Sequence, residues 1–131
     1  MIGIDTNVLI RYIAQDDPAQ SLKATQLIEQ QCSPESPGFI GLVVLVEVVW
    51  VSESCYAATR QNVADLIRQL LGTKQLIVQS AELVWKALRM FEDSNADFAD
   101  CLIERSADAI GCEFTATFDK RAAKISGMKL L

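Results

Sequence analysis

Phe39-Ile-Gly-Leu-Val-Val-Leu-Val-Glu-Val-Val-Trp-Val51 is the most apolar stretch of the chain, and the way it folds decides the architecture. Hydrophobic periodicity alone leaves Leu42 to Ser54 ambiguous between helix and strand. We predict a helix there, because the segment is longer than most strands and polar residues return at its end. Phe39 to Gly41, immediately before it, is predicted to be a short strand.

Strands and helices alternate along the rest of the chain, which predicts an α/β fold with a parallel sheet covered by helices. Further strands, the first of them buried, are predicted at Ile2 to Asp5, Leu76 to Val78, Glu113 to Thr117 and Met128 to Leu130. Further helices are predicted at Asn7 to Ala14, from Pro18, between Thr59 and Gly72, from Ser80, at Ala96 to Ile110 and at Lys120 to Ile125.

The second predicted helix has the clearest start signal. Asp17 would cap it and Pro18 would occupy its first position, where a missing N–H is tolerated. Its expected apolar face consists of Leu22, Leu27 and Ile28.

Length and composition indicate a single domain over residues 1–131. With 131 residues, 50% of them hydrophobic, the chain can bury one substantial core. The apolar stretch is interrupted by Gly41 and Glu47 and is too short to span a bilayer, which needs about 20 apolar residues. The first residues lack the features of a signal peptide. No membrane association is expected, and a cytoplasmic location follows as the default.

The four cysteines are Cys32, Cys55, Cys101 and Cys112, and no two of them form a C-x-x-C pair. In a chain without a secretion signal, such cysteines are typically reduced thiols rather than disulfides. We expect them to be mostly buried and to serve packing.

Several acidic residues lie in or beside apolar segments, where an ionised carboxylate is unfavourable unless it is paired, protonated or bound to a cation. Asp5 ends one short predicted strand and Asp119 follows another, and ligands of parallel sheets collect at such strand ends. Glu47 lies inside the apolar stretch. Asp97 and Asp100 are three residues apart and share a helical face. We predict that these acids converge on a hard divalent metal.

The absence of histidine narrows the chemistry further. It excludes imidazole acid–base catalysis, nucleophiles activated by histidine, and histidine-ligated zinc. Carboxylate ligands suit Mg²⁺ or Mn²⁺, so the nucleophile would be metal-activated water. The net charge of −5 neither establishes nor excludes an RNA substrate, since bound cations reverse the field around clustered acids.

Four motifs resemble the PIN-domain family, and most closely its VapC-type toxins of bacterial toxin–antitoxin pairs. The motifs are Ile4-Asp5-Thr6-Asn7-Val8-Leu9-Ile10, Glu47-Val48-Val49-Trp50, Asp97-Phe98-Ala99-Asp100-Cys101-Leu102-Ile103 and Thr115-Ala116-Thr117-Phe118-Asp119. The resemblance covers essentially the whole chain. It implies a PIN-like three-layer fold, with a short, mainly parallel central sheet flanked by helices.

The same resemblance implies a function and a set of site residues. The catalytic, metal-binding acids would be Asp5, Glu47, Asp100 and Asp119, and Asp97 matches an additional metal-binding acid. The residues that would orient the carboxylates or the attacking water are Thr6, Asn7 and Thr117. The implied activity is a Mg²⁺- or Mn²⁺-dependent endoribonuclease, a hydrolase of phosphodiester bonds. Its implied partners are RNA, a second copy of the chain and a cognate antitoxin protein.

Structural roles compete with the functional ones at these positions. Asp5 is also explained as a turn former at a strand end, and Asp97 as the N-cap of the helix from Phe98. Asp119 is also explained as the cap of the short helix that follows it. For Glu47 the competing explanation is a buried ion pair with Arg or Lys.

Two other functions and several surface roles also stay open. A phosphohydrolase of the haloacid dehalogenase type would need a second acid where Asn7 stands, and a PIN-fold binding module would be catalytically idle. Arg11 and Arg121 are favoured as RNA contacts because each lies near a motif. The apolar side chains expected to support a dimer and a peptide groove are Val44, Val48, Val51, Leu70 and Leu71, with Trp50 and Trp85 as core or dimer anchors.

Overall fold

The apolar stretch forms a strand followed directly by a helix, as predicted. In the computed structural model, which describes residues 1–131, β2 spans Gly38–Ile40 and α3 spans Leu42–Cys55. Gly41 lies between them in an extended conformation. The main-chain N–H of Leu42, at the start of α3, donates to the side-chain oxygen of Gln79 at 2.9 Å. The helix therefore begins where the strand ends, with its first amide satisfied.

Two compact units make up the chain, Met1–Gln79 and Ser80–Leu131. The first unit contains a three-stranded sheet in the order β1-β2-β3, and both strand pairs are parallel. Here β1 is Ile2–Gly3 and β3 is Leu76–Val78. The predicted parallel sheet is confirmed, while the single-domain assignment over residues 1–131 stays a prediction.

The prediction of a buried first strand from Ile2 to Asp5 is wrong in length and in burial. Strand β1 pairs on one side only, with β2, and both of its residues are exposed. Ile4, which follows it, is the first buried residue of the chain. An edge strand of this length places Asp5 just beyond the sheet rather than inside a strand.

The helices of the first unit are α1 (Thr6–Ala14), α2 (Pro18–Gln26), α3 and α4 (Arg60–Gly72). The Asp17 carboxylate accepts a hydrogen bond from the N–H of Gln20 at 3.0 Å and caps α2 as predicted. Thr59 and Asn62 form a reciprocal capping box at the start of α4. The capping residues in the sequence therefore predicted the starts of α2 and α4 correctly.

The predicted apolar face of α2 is only partly right. Leu22 is exposed, whereas Ser21, Ala24 and Ile28 are buried. Small residues occupy the inner positions because α2 packs against α1, and a π-helical segment, Leu27–Gln31, continues the chain. The larger Leu22 side chain therefore faces solvent.

The second unit contains α5 (Ala81–Glu92), α6 (Phe98–Ala109), β4 (Thr115–Thr117) and β5 (Met128–Leu130). Helices α5 and α6 pack together, and Phe91 and Phe98 meet edge to face with ring centroids 6.0 Å apart. Strands β4 and β5 are parallel and are connected through a short 3₁₀-helix, Ala122–Lys124.

A buried carboxylate connects α6 to the segment that precedes β5. Glu104 is only 2% exposed, and the Arg105 guanidinium donates to both of its oxygens at 2.5 and 2.9 Å. Gly127 has φ +93°, and a Cβ added there would lie 2.0 Å from Oε1 of Glu104. The Gly127 carbonyl also accepts from the Thr115 N–H at 2.7 Å. The backbone at Gly127 therefore approaches Glu104 too closely to accommodate a side chain.

The cysteines divide into two kinds. Cys32 and Cys101 are buried, in agreement with a packing role, whereas Cys55 and Cys112 are exposed free thiols. The packing assignment is wrong for the exposed pair, because Cys55 ends α3 and Cys112 lies just beyond α6. None of the helices combines the length and apolarity needed to cross a bilayer.

Candidate metal-binding carboxylates

Asp5 is available to a ligand in the first unit. It occupies the N-cap position of α1 in an extended conformation, yet its side chain makes no capping hydrogen bond. The residue is exposed. Its carboxylate oxygens are therefore not used by the helix start.

Glu47 lies on the solvent side of α3. Its neighbours Val48 and Val49 are buried, whereas Val43 and Trp50, one turn to either side, are 75% and 63% exposed. The expectation of a buried Glu47 is wrong, and so is its explanation as a buried ion pair. Because the exposed face of α3 is also apolar, the sequence pattern does not show that Glu47 faces solvent. Trp50 is likewise not a core residue.

Thr6 contacts the carboxylate of Glu47 directly. The Thr6 hydroxyl is largely buried and donates to Oε1 of Glu47 at 2.9 Å. Because Thr6 belongs to α1 and Glu47 to α3, this bond fixes one carboxylate oxygen against a neighbouring helix. The second oxygen stays available.

Three acids of the second unit lie within electrostatic reach of one another. Asp100, in the first turn of α6, is half-buried. Burial raises the pKa of Asp100, the charges of Asp97 and Asp119 raise it further, and the charge of Arg121 opposes them. We call Asp97, Asp100 and Asp119 the carboxylate cluster. Its members repel one another when they are ionised.

Arg121 touches two members of the carboxylate cluster. Its guanidinium donates to Oδ1 of Asp97, while its main-chain N–H donates to Oδ1 of Asp119 at 2.8 Å. The Ala122 N–H also donates to that Asp119 oxygen, at 3.2 Å. Asp119 thus caps the short 3₁₀-helix, as the structural alternative proposed. Thr117 supports this turn by accepting from the Asp119 N–H at 3.0 Å.

Asp97 occupies the N-cap position of α6, but its side chain makes no capping hydrogen bond. Its ion pair with Arg121 is solvent-exposed on both sides. Asp97 therefore stands at the N-cap position, as the structural alternative predicted, but its carboxylate binds Arg121 and does not cap the helix.

The donor chemistry of these residues fits a hard divalent cation, since carboxylate oxygens are its preferred ligands. Burial is the largest cause of the raised pKa of Asp100, and the charges of Asp97 and Asp119 add repulsion that a bound cation would relieve. No group of three or more acidic, cysteine or histidine side chains is arranged to enclose an ion. Convergence of all the predicted acids on one metal therefore stays a prediction.

Asp100 is expected to lower the stability of the metal-free protein at neutral pH. Its raised folded-state pKa favours folding at pH values below the ordinary 3.8, and this contribution is lost as pH rises through the raised value. In EDTA at neutral pH, Asp100→Asn should raise the melting temperature by about 1–3 °C. The rise is small because solvent screens partly exposed charges.

Lowering the pH tests whether the charge of Asp100 destabilises the metal-free protein. The advantage of Asp100→Asn in calorimetry should shrink as pH falls toward the raised pKa, because the native carboxyl then becomes neutral as well. A lower melting temperature of the variant in EDTA would show that Asp100 stabilises α6 structurally.

The sequence matches a known family over nearly its full length. The PIN domain profile matches residues 2–128, and the chain belongs to the PIN domain family. It is 20% identical over 123 residues to the VapC ribonuclease of Aquifex aeolicus (strain VF5), an alignment that covers 93% of this chain and 90% of that protein. The resemblance drawn from the four motifs is confirmed, and so is the α/β fold.

Proposed function

We propose that this protein is a divalent-metal-dependent endoribonuclease and the toxin of a toxin–antitoxin pair. Membership of the PIN domain family supports nuclease chemistry. The similarity to a VapC ribonuclease supports RNA as the substrate. The observation that carries the proposal is the carboxylate cluster, in which burial and then the charges of Asp97 and Asp119 raise the pKa of Asp100. Such a group favours a cation.

We assign catalysis and metal binding to Asp5, Glu47, Asp100 and Asp119, with Asp97 as a further ligand. The ion would be Mg²⁺, with Mn²⁺ as a substitute, because both prefer oxygen ligands. When bound, a divalent cation supplies stabilisation of charge on a phosphodiester and a nucleophile at neutral pH.

The side chains around these acids have separate tasks. Thr6 holds one oxygen of Glu47, which leaves the other for the ion. Thr117 fixes the turn that carries Asp119 through the Asp119 N–H. Asn7 is exposed at the start of α1, and we propose that it orients a carboxylate or the attacking water. The chain has no histidine to transfer protons, and we assign proton transfer to the carboxylates and water.

Metal removal tests the proposal. Incubation with total cellular RNA should give cleavage products in Mg²⁺ or Mn²⁺ and none in EDTA, and added metal should restore cleavage. Mapping the new RNA ends would identify the target. Metal-independent cleavage, or no cleavage of any cellular RNA, would contradict the proposal.

The same assay separates the other functions. A haloacid dehalogenase-like phosphohydrolase would hydrolyse p-nitrophenyl phosphate with Mg²⁺ and leave RNA intact. Asn7, at the position where that chemistry needs a second acid, counts against it, as does PIN membership. An idle binding module would bind RNA or protein without turnover.

We further propose a homodimer that binds a cognate antitoxin in the cytoplasm. The surface predicted for these contacts needs correction, because Val48 and Leu70 are buried. The exposed apolar side chains of α3, Val43 and Trp50, support association instead. Light scattering should give twice the chain mass of 14.4 kDa. Copurification with the product of the neighbouring gene tests the antitoxin.

A further inference from the structure

Arg121 connects two acids of the carboxylate cluster through two different groups. Its main-chain N–H is fixed by the Asp119 carboxylate at 2.8 Å, in the turn that also includes the Ala122 N–H. Its guanidinium lies on Asp97. The backbone of Arg121 is therefore held in place, whereas the side chain reaches across to another element.

The ion pair between Arg121 and Asp97 is not locked by burial. The two side chains are 55% and 53% exposed, so water reaches both of them. Solvent-exposed ion pairs are weak and exchange readily. The guanidinium can thus leave Asp97 by rotation of its own side chain while the turn keeps its conformation.

We propose that Arg121 is the internal counter-ion of the carboxylate cluster: a divalent cation displaces its guanidinium from Asp97, and the freed guanidinium binds a phosphate of the RNA substrate. The inference rests on the proposed metal-dependent nuclease function and makes the RNA contact predicted for Arg121 dependent on metal binding.

Two physical arguments support this exchange. A divalent cation and a guanidinium repel each other, so a cation bound at Asp97 weakens the ion pair between Asp97 and Arg121. Once displaced, the guanidinium keeps a planar fork of donors, which matches the geometry of phosphate oxygens. Arg121 would therefore neutralise the acids before metal binding and contact the substrate afterwards.

The metal arm of the test uses the full chain and titration calorimetry with Mn²⁺ alone at low ionic strength. Arg121→Gln should bind Mn²⁺ about two- to fivefold more tightly than the native protein, the range that an exposed ion pair allows. Lys120→Gln is the matched control, because it removes the same charge from the adjacent exposed residue. It should change the affinity less than Arg121→Gln.

The RNA arm measures binding of a fluorescent single-stranded RNA of mixed sequence by anisotropy, in EDTA and in Mn²⁺, over an interval in which gel electrophoresis shows that the RNA is still intact. Mn²⁺ should increase RNA affinity more in the native protein than in Arg121→Gln, because only the native protein gains a freed guanidinium. Arg121→Lys should recover part of that gain, since the charge returns without the fork.

The direction of the change in Mn²⁺ affinity caused by Arg121→Gln distinguishes the proposed exchange from a structural role of Arg121. If Arg121 only maintains the structure, Arg121→Gln should bind both Mn²⁺ and RNA more weakly than the native protein. That result would overturn the inference. An equal gain in Mn²⁺ affinity with Lys120→Gln would also overturn it, because general charge would then explain the effect. If the native protein binds no Mn²⁺, the proposed function itself fails.

Discussion

Asp5→Asn and Asp100→Asn should each lower the rate of RNA cleavage by roughly a hundredfold or more. Loss of residues that merely support metal ligands already reduces activity by about 10- to 100-fold, so loss of a ligand charge should reach at least the upper end. Glu47→Gln and Asp119→Asn should act in the same direction. Initial rates on a mapped RNA target, in saturating Mg²⁺, measure the effect.

Asp108→Asn is the control for these variants. Asp108 lies on α6 with Asp100, is exposed, and pairs with Arg105 at 3.5 Å. Its replacement removes the same charge from the same helix and should leave cleavage near the native rate. Near-normal cleavage by both Asp5→Asn and Asp100→Asn would contradict the assignment of the acids.

Gly127→Ala should lower the free energy of unfolding by about 2–4 kcal/mol. Two effects add at this position. The φ of +93° is unfavourable for alanine, and the new Cβ would lie 2.0 Å from Oε1 of the buried Glu104. Because Glu104 is held by Arg105, its carboxylate cannot move aside without breaking that ion pair. Urea denaturation measures the loss.

Gly111→Ala separates the two effects. Gly111 has a nearly identical φ of +91°, but a Cβ added there would have no atom within 4 Å. This control should lose only the backbone contribution, about 1 kcal/mol. Equal losses in the free energy of unfolding for Gly111→Ala and Gly127→Ala would show that a Cβ at position 127 does not clash with Glu104.

Features that depend on neighbouring residues in sequence were predictable. The start of α2 follows from Asp17 and Pro18, and the start of α4 from Thr59. The length of the apolar run, together with the polar residues at its end, identified α3 as a helix. The two helix starts depend on short-range sterics and hydrogen bonds between residues close in sequence.

Orientation and pairing were less predictable. Glu47 was expected to be buried because apolar residues surround it on every face of α3, including the exposed one. The sequence did carry a usable signal for Glu104, since it follows Cys101, which was expected to be buried, by three residues in a predicted helix; both residues are buried in the structure. The contacts of Thr6 with Glu47 and of Arg121 with Asp97 join residues distant in sequence, so only the folded chain reveals them.

The cap formed by Asp119 affects how alanine scanning at this position should be interpreted. One Asp119 oxygen organises the turn by accepting from the Arg121 and Ala122 N–H groups. Alanine would delete this acceptor together with the charge, whereas asparagine retains a carbonyl that can accept the same bonds. The difference in activity between the two substitutions measures how far local backbone order, as opposed to electrostatics, supports turnover.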